Sequence, residues 1–187
     1  MEEIQRESMD YDVVVVGAGP SGLSAAIKIK QLAKENNKEI SVCIVEKGSE
    51  VGAHILSGNV FDPIALNELI PDWKDLGAPL NTEVKKDSVR YLLNENTTIP
   101  TPTFLTPTFK NHGNYIISLG NLCRWMAEYA EGMEIDIFPG FPASSLIVEN
   151  EKIVGVTTGD MGISFEGSKK DSFEPGVELR AKYTILS

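Results

Sequence analysis

This sequence offers a metal ion or a polyanion little to hold. It has two cysteines and two histidines in 187 residues. Cys43 and Cys123 lie far apart, inside apolar patterns that read as a strand and a helix, with no CxxC spacing for a metal, a cluster or a dithiol. Two buried, reduced thiols are expected, and no metal ligand set. No run of lysine and arginine concentrates positive potential along the chain, and the formal net charge is -10. A partner recognised through its phosphates, nucleic acid above all, is therefore not expected. No stretch approaches the roughly 20 apolar residues of a spanning helix, so any membrane contact should be peripheral. Residues 1–10 are acidic, with neither the apolar core of a signal peptide nor the Arg/Ser-rich character of a mitochondrial transit peptide. That points to a bacterial cytoplasm.

What remains is an ordinary globular composition, 42% apolar and 24% charged, with material for one core or two small ones. Tyr11 to Val16 is a continuous apolar, β-branched run, the pattern of a parallel strand covered on both faces. A glycine-rich turn follows, then a helical pattern from Ser21 to about Lys34, then a second buried-type strand from Ile40 to Val45 with Glu46 directly after it. The chain thus opens β-α-β. Gly48 to Gly58 reads as loop, and Ile64 to Ile70 as a short helix stopped by Pro71. Asn96 to Phe109 carries no charge and has prolines at 100, 102 and 107, so it cannot be a helix. Ser118 can cap a helix whose apolar positions run from Leu119 to Ala130, and Gly132 can end it. Glu134 to Phe138 reads as a strand, Leu146 to Val148 with Ile153 to Thr157 as a hairpin, and Val177 to Leu186 as a last strand.

Gly17-Ala18-Gly19-Pro20-Ser21-Gly22 fits G-x-G-x-x-G, and the strand and helix that this motif requires lie on either side of it. Gly17 permits the tight turn off the strand. Gly19 lets the backbone approach a pyrophosphate, and Gly22 lets the helix pack closely on the sheet. The helix amino terminus then meets the anion with unpaired N–H groups and a positive dipole. Glu46, at the end of the second strand, is placed to accept hydrogen bonds from ribose hydroxyls. A carboxylate there, rather than Arg, argues against a 2'-phosphate and hence against NADP, but the fingerprint itself is common to FAD and NAD.

Longer runs narrow the choice. Val42 to Gly58, Pro71 to Lys74, Gly77 to Thr82, His112 to Ile116, Gly159 to Ile163 and Ala181 to Thr184 together resemble the amino-terminal part of the electron-transfer flavoprotein:ubiquinone oxidoreductases. These are glutathione-reductase-type FAD proteins, more distantly related to FixC proteins and geranylgeranyl reductases. The resemblance implies a Rossmann-like α/β FAD-binding domain: a βαβ opening, a central parallel sheet and a β-hairpin or meander insertion, truncated relative to the family. Residues 11–58 would form the dinucleotide-binding unit and its following loop, 59–117 an inserted segment, and 118–187 the helix, strand and hairpin that return to the domain.

The resemblance also assigns residues. Gly17, Gly19, Pro20, Ser21, Gly22, Glu46 and Lys47 would serve the ADP half of FAD, while Gly52, His54, Ser57 and Gly58 would approach the ribityl or flavin part. For His54, a loop imidazole bonded to the backbone is an equal alternative. Ile99, Phe104, Leu105 and Phe109 would face the quinone side, either dipping shallowly into the membrane or packed as a Pro-rich loop under the sheet. No catalytic side chain is implied, because the cofactor supplies the redox step. The implied partners are electron-transfer flavoprotein and ubiquinone, on the cytoplasmic side of a bacterial inner membrane. A 4Fe-4S cluster would be held by cysteines beyond this sequence. Two further readings stay open: a stand-alone FAD module without turnover, and a FixC or geranylgeranyl-reductase-like flavoprotein. The chain stops at its last strand, which favours truncation, and alone it is expected to be inactive.

Overall fold

The computed structural model describes residues 5–56, 58–105 and 107–187. The chain divides into two compact units, Met1–Ile55 with Cys123–Ser187, and Leu56–Leu122.

The first unit opens with strand β1 (Ser8–Val16), helix α1 (Pro20–Glu35) and strand β2 (Val42–Glu46). β1 and β2 are parallel, with Val13 to Val16 opposite Val42 to Val45. Alternation sends Val13 and Val15 to one face and Val14 to the other. All three are buried, as are Val42, Cys43, Ile44 and Val45. α1 buries Leu23, Ala26 and Ile27 completely against this sheet, and each such aliphatic side chain contributes roughly 1.5 to 3 kcal/mol.

The second unit begins at β3 (Asn59–Phe61) and α2 (Ile64–Leu69), continues through β4 (Thr82–Glu83), β5 (Arg90–Asn94) and β6 (Thr97–Pro100), and ends with β7 (Tyr115–Ile117) before the next helix. β7 lies between β3 and β4 in an antiparallel sheet. Its small core holds Leu66, Ile70, Trp73, Leu80, Val84 and Ile117. Trp73 meets Tyr115 edge-on at 5.8 Å and donates its indole N–H to Asn67 at 2.7 Å. The stretch expected as a Pro-rich loop differs from expectation. Thr97–Pro100 pairs with Arg90–Asn94 as a two-stranded hairpin, and the rest forms two 3-10 turns, Thr103–Leu105 and Pro107–Phe109. It is not packed under a sheet, since Ile99, Phe104, Leu105 and Phe109 are 49%, 79%, 63% and 58% exposed.

Helix α3 (Leu119–Glu131) leads back to the first unit, followed by β8 (Ile135–Pro139), the hairpin β9 (Ala143–Glu149) and β10 (Lys152–Thr158), the small hairpin β11 (Met161–Ile163) and β12 (Lys169–Glu174), and finally β13 (Glu178–Leu186). Ser118 receives the Asn121 N–H at 3.4 Å at the start of α3. At its end Gly132 bonds back to Glu128, but the left-handed residue is Glu134, with φ 61°. The main sheet has the order β8-β2-β1-β13-β10-β9. Its first four strands are parallel, and the β9–β10 hairpin extends it antiparallel. β1 starts at Ser8, earlier than its apolar run, because Ser8 to Tyr11 pair with Glu178 to Ala181. The face opposite α1 is filled by Val14, Cys43, Val45, Val156 and Leu179. Burial pushes the thiols of Cys43 and Cys123 up to about 12 and about 11, so both stay protonated and unreactive. A parallel α/β core with an antiparallel hairpin at its edge is a Rossmann-like dinucleotide-binding architecture.

Candidate dinucleotide site

The glycine turn leaves the end of β1 with Gly17 in a left-handed conformation, φ 105°, which a side chain would strain. Gly22 answers a different demand. A Cβ there would stand 2.0 Å from the Gly17 carbonyl oxygen and 3.1 Å from Val15 Cγ1, so only glycine lets α1 sit this close to the sheet. Gly19 is the converse case: no heavy atom lies within 4 Å of where its Cβ would be. Its backbone borders open space that a ligand can occupy.

Gly19 is also the N-cap of α1. No side chain caps the helix, Pro20 takes its first turn, and that turn carries no acidic residue. Proline has no N–H to leave unpaired, while the N–H groups of Ser21 and Gly22 have no acceptor within the helix. The combination of bare donors, positive dipole and no competing carboxylate suits a phosphate.

Glu46 ends β2 beside this turn. One carboxylate oxygen accepts the Ala18 N–H at 2.9 Å and the other accepts the Gly48 N–H at 2.7 Å. Glu46 therefore fastens the glycine turn to the loop after β2, a structural duty that the ribose role alone did not suggest. Each oxygen keeps lone-pair capacity for a further donor.

These residues open onto a cleft of about 370 Å³ that contains six of the expected positions: Gly17, Gly19, Glu46, Lys47, Gly52 and His54. Pro20 and Ser21 are exposed at the helix start and Gly22 is buried behind it. Gly58 belongs to the second unit, and Ser57 lies outside the described residues. The cleft is completed by residues that the motif did not indicate, Pro142 and Ala143 after β8 and Ser187 after β13, with Val16, Val45 and Ile55 as apolar wall. The signal for them is topological. Ligands of open α/β sheets lie outside the carboxyl ends of the parallel strands, and β1, β2, β8 and β13 all end here. A larger open depression, about 920 Å³, lies instead around the start of β2. It is lined by Lys30, Lys34, Lys38, Asp12, Glu39 and Glu134, of mixed charge, and lacks the Gly17–Gly22 turn, so the smaller cleft is the candidate dinucleotide site.

Folding also gathers charge that is dispersed along the sequence. In the second unit, the Asp87 carboxylate accepts both the backbone N–H and the side-chain amide of Asn111, each at 3.0 Å. This pair brings Lys85, Lys86 and Arg90 to depressions that also contain Phe109, Lys110 and His112. The Asn111 contacts hold the Asp87 carboxyl below the usual carboxylate range.

Residues 1–89 match the Thi4 family. A geranylgeranyl bacteriochlorophyll reductase-like protein from Thermoplasma acidophilum is similar in structure, with TM-score 0.64 and 22% identity over 96% of this chain and 39% of that one. The myxobacterial chondrochloren halogenase, an FAD-dependent halogenase, gives TM-score 0.59 and 16% identity over 95% and 37%. At such identities these two speak for the fold. In sequence, the chain is 58% identical over 187 residues to the electron transfer flavoprotein-ubiquinone oxidoreductase of Pseudomonas aeruginosa, covering 98% of this chain and 34% of the relative. The chain thus spans about a third of the length of the curated relatives it matches. Relatives from bacteria, plants and mammals share that name at 48–58% identity. With such identity over nearly its whole length, the chain belongs with the electron transfer flavoprotein-ubiquinone oxidoreductases, as part of their FAD-binding portion.

Proposed function

We propose that this chain holds FAD in the cleft at the ends of β1 and β2, for an enzyme that passes electrons from reduced electron-transfer flavoprotein to ubiquinone. The observation that carries this reading is the open backbone at Gly19, joined to an α1 terminus without a side-chain cap. The backbone from Gly17 to Gly22 would hold the pyrophosphate. Glu46 would accept the adenosine ribose hydroxyls while keeping the turn in place, and Lys47 would lie along the ADP half. Gly52 and His54 would border the flavin side. FAD supplies the electron transfer itself, and these residues bind it, orient it and keep water from one side of it.

A 4Fe-4S cluster is assigned to parts of the longer enzyme outside these residues. Among the described residues no group of three or more His, Cys, Asp or Glu gathers to hold a metal. Ubiquinone and electron-transfer flavoprotein are its partners, and its location is the cytoplasmic face of a bacterial inner membrane. Among the described residues no helix is long and apolar enough to cross a membrane. The membrane contact assigned here is peripheral, through Ile99, Phe104, Leu105 and Phe109, which form an uncharged, exposed segment.

The test is reduction of a soluble quinone by the full-length protein with reduced electron-transfer flavoprotein as donor, alongside the visible spectrum of the isolated 187 residues. Turnover by the full-length protein is expected, with weak flavin and no turnover in the short chain. A full-length protein purified without flavin overturns the reading.

A further inference from the structure

The most conspicuous feature left unused by the dinucleotide cleft is the basic cluster of the second unit. We propose that Lys85, Lys86, Arg90 and Lys110 form a contact for anionic lipid headgroups, set at the base of the exposed apolar segment. The proposal rests on the peripheral membrane reading above and adds a lipid class to it.

Three observations support it. First, charge and apolar surface meet at one residue. Phe109, 58% exposed, lines both depressions. The Asp87–Asn111 clamp holds the segment with Lys85, Lys86 and Arg90 against the one with Lys110. Among the described residues none of the three lysines has an ion-pair partner. Second, the local balance opposes that of the whole. Residues 84–112 hold four Lys or Arg against two Asp or Glu, in a chain of net charge -10. A positive surface kept on an acidic chain marks a negative partner. Third, the apolar part does not resemble one side of a protein interface. In the β5–β6 hairpin the consecutive residues Tyr91 and Leu92 lie on opposite faces, Leu93 follows at an irregularity in the pairing, and all three are more than half exposed. A ribbon apolar on both faces suits immersion better than docking. No charge falls between Asn96 and Phe109, and Lys110 follows at once. Cations at the boundary of an uncharged apolar segment sit at headgroup depth when that segment enters the interface.

The experiment is co-sedimentation of the full-length protein with vesicles of phosphatidylcholine alone and of phosphatidylcholine with phosphatidylglycerol, at low and high salt. Wild type should bind the anionic vesicles more tightly, and high salt should remove the difference. The triple variant K85Q/K86Q/K110Q should lose roughly tenfold or more on anionic vesicles, counting each cation near a charged leaflet as a severalfold effect. On neutral vesicles it should match wild type. Its flavin spectrum and melting temperature should not change, because these side chains are exposed. The variant F104S/L105S/F109S should lose binding to both vesicle types. Unchanged binding of this serine variant would sink the membrane reading itself. Equal binding of wild type and the glutamine variant to anionic vesicles would overturn the lipid contact alone. A glutamine variant that binds vesicles normally but accepts electrons poorly from electron-transfer flavoprotein would also overturn it, by assigning the cations to an acidic protein.

Discussion

Glu46 accepts the Ala18 backbone N–H at 2.9 Å, and Ala18 is almost fully buried. The carboxylate that should hold ribose is thus also the acceptor that keeps a buried donor in the glycine turn paired. Removing it leaves that donor unsatisfied, at a cost of roughly 1 to 3 kcal/mol. Glu46→Ala should therefore lower the melting temperature of the apoprotein as well as weaken FAD by about tenfold or more. Glu46→Gln keeps one acceptor oxygen and should fall between. Calorimetry and flavin titration of the full-length protein check this. A Glu46→Ala protein with wild-type affinity would remove Glu46 from the ligand site.

The glycines of the motif should separate folding from binding. A Cβ at Gly22 would overlap the Gly17 carbonyl, whereas one at Gly19 would enter open space. Gly22→Ala should destabilise in the manner of an overpacked core, by about 3 kcal/mol. Gly19→Ala should melt like wild type and yet hold flavin poorly, because the added methyl occupies the approach to the backbone. Thermal unfolding of the two apoproteins, followed by flavin titration of Gly19→Ala, distinguishes the outcomes. Tight flavin binding by Gly19→Ala would place the pyrophosphate elsewhere.

The β9–β10 hairpin turns through Asn150 and Glu151, both left-handed, with φ 49° and 63°. That geometry favours Asn-Gly. Glu151→Gly should relieve the strained backbone and stabilise the domain by about 0.5 to 1 kcal/mol, read as a higher urea midpoint with an unchanged slope.

Asp12 gives a pH signature. The hydrogen bond from Lys182, at 2.6 Å, and then the Ser41 N–H, at 2.9 Å, lower its carboxyl to about 2. A carboxyl depressed in the folded state contributes stability that is fully present above its ordinary value near 3.8 and is lost as pH falls through about 2. Lys182 is largely exposed, so solvent screening limits the contribution to about 1 kcal/mol. Asp12→Asn should be less stable than wild type at pH 6, and the difference should close as pH falls from about 4 toward 2. Urea unfolding across that range reads it.

The β-α-β opening was legible because continuous apolar strands, a helical period and the glycine turn all agree. α3 was legible for the same reason, with Ser118 marking its start. β3, β4 and β7 were not. Each has only two or three residues, too few for an alternating pattern to stand out, and they exist because Tyr115–Ile117 finds partners on both sides. β11 and β12 were hidden likewise, since Lys169–Glu174 is mostly polar and its pairing is set by its neighbour. Of the residues lining the cleft, Gly17, Gly19 and Glu46 were readable from motif spacing, and Gly52 and His54 only from the resemblance. Pro142, Ala143 and Ser187 were not, because strand order and not sequence brings them to the cleft. The cation cluster was invisible for the same reason, as Lys110 reaches Lys85 and Lys86 only through the Asp87–Asn111 clamp.

The position of β13 bears on how the molecule is made. It lies between β1 and β10, and it alone covers one whole edge of β1, the strand that carries the glycine turn. Ser8 is synthesised long before its partner Glu178 leaves the ribosome. Until then β1 has one side matched by β2 and the other bare, an apolar strand edge open to any neighbouring chain. Closure of this edge therefore waits until the residues from 178 onward have emerged, and it is slow in the manner of sheets closed by distant segments. A pause in translation before residue 178 should lengthen the exposure of that edge, so that the yield of this protein in a cell depends on elongation speed and chaperone supply as well as on final stability.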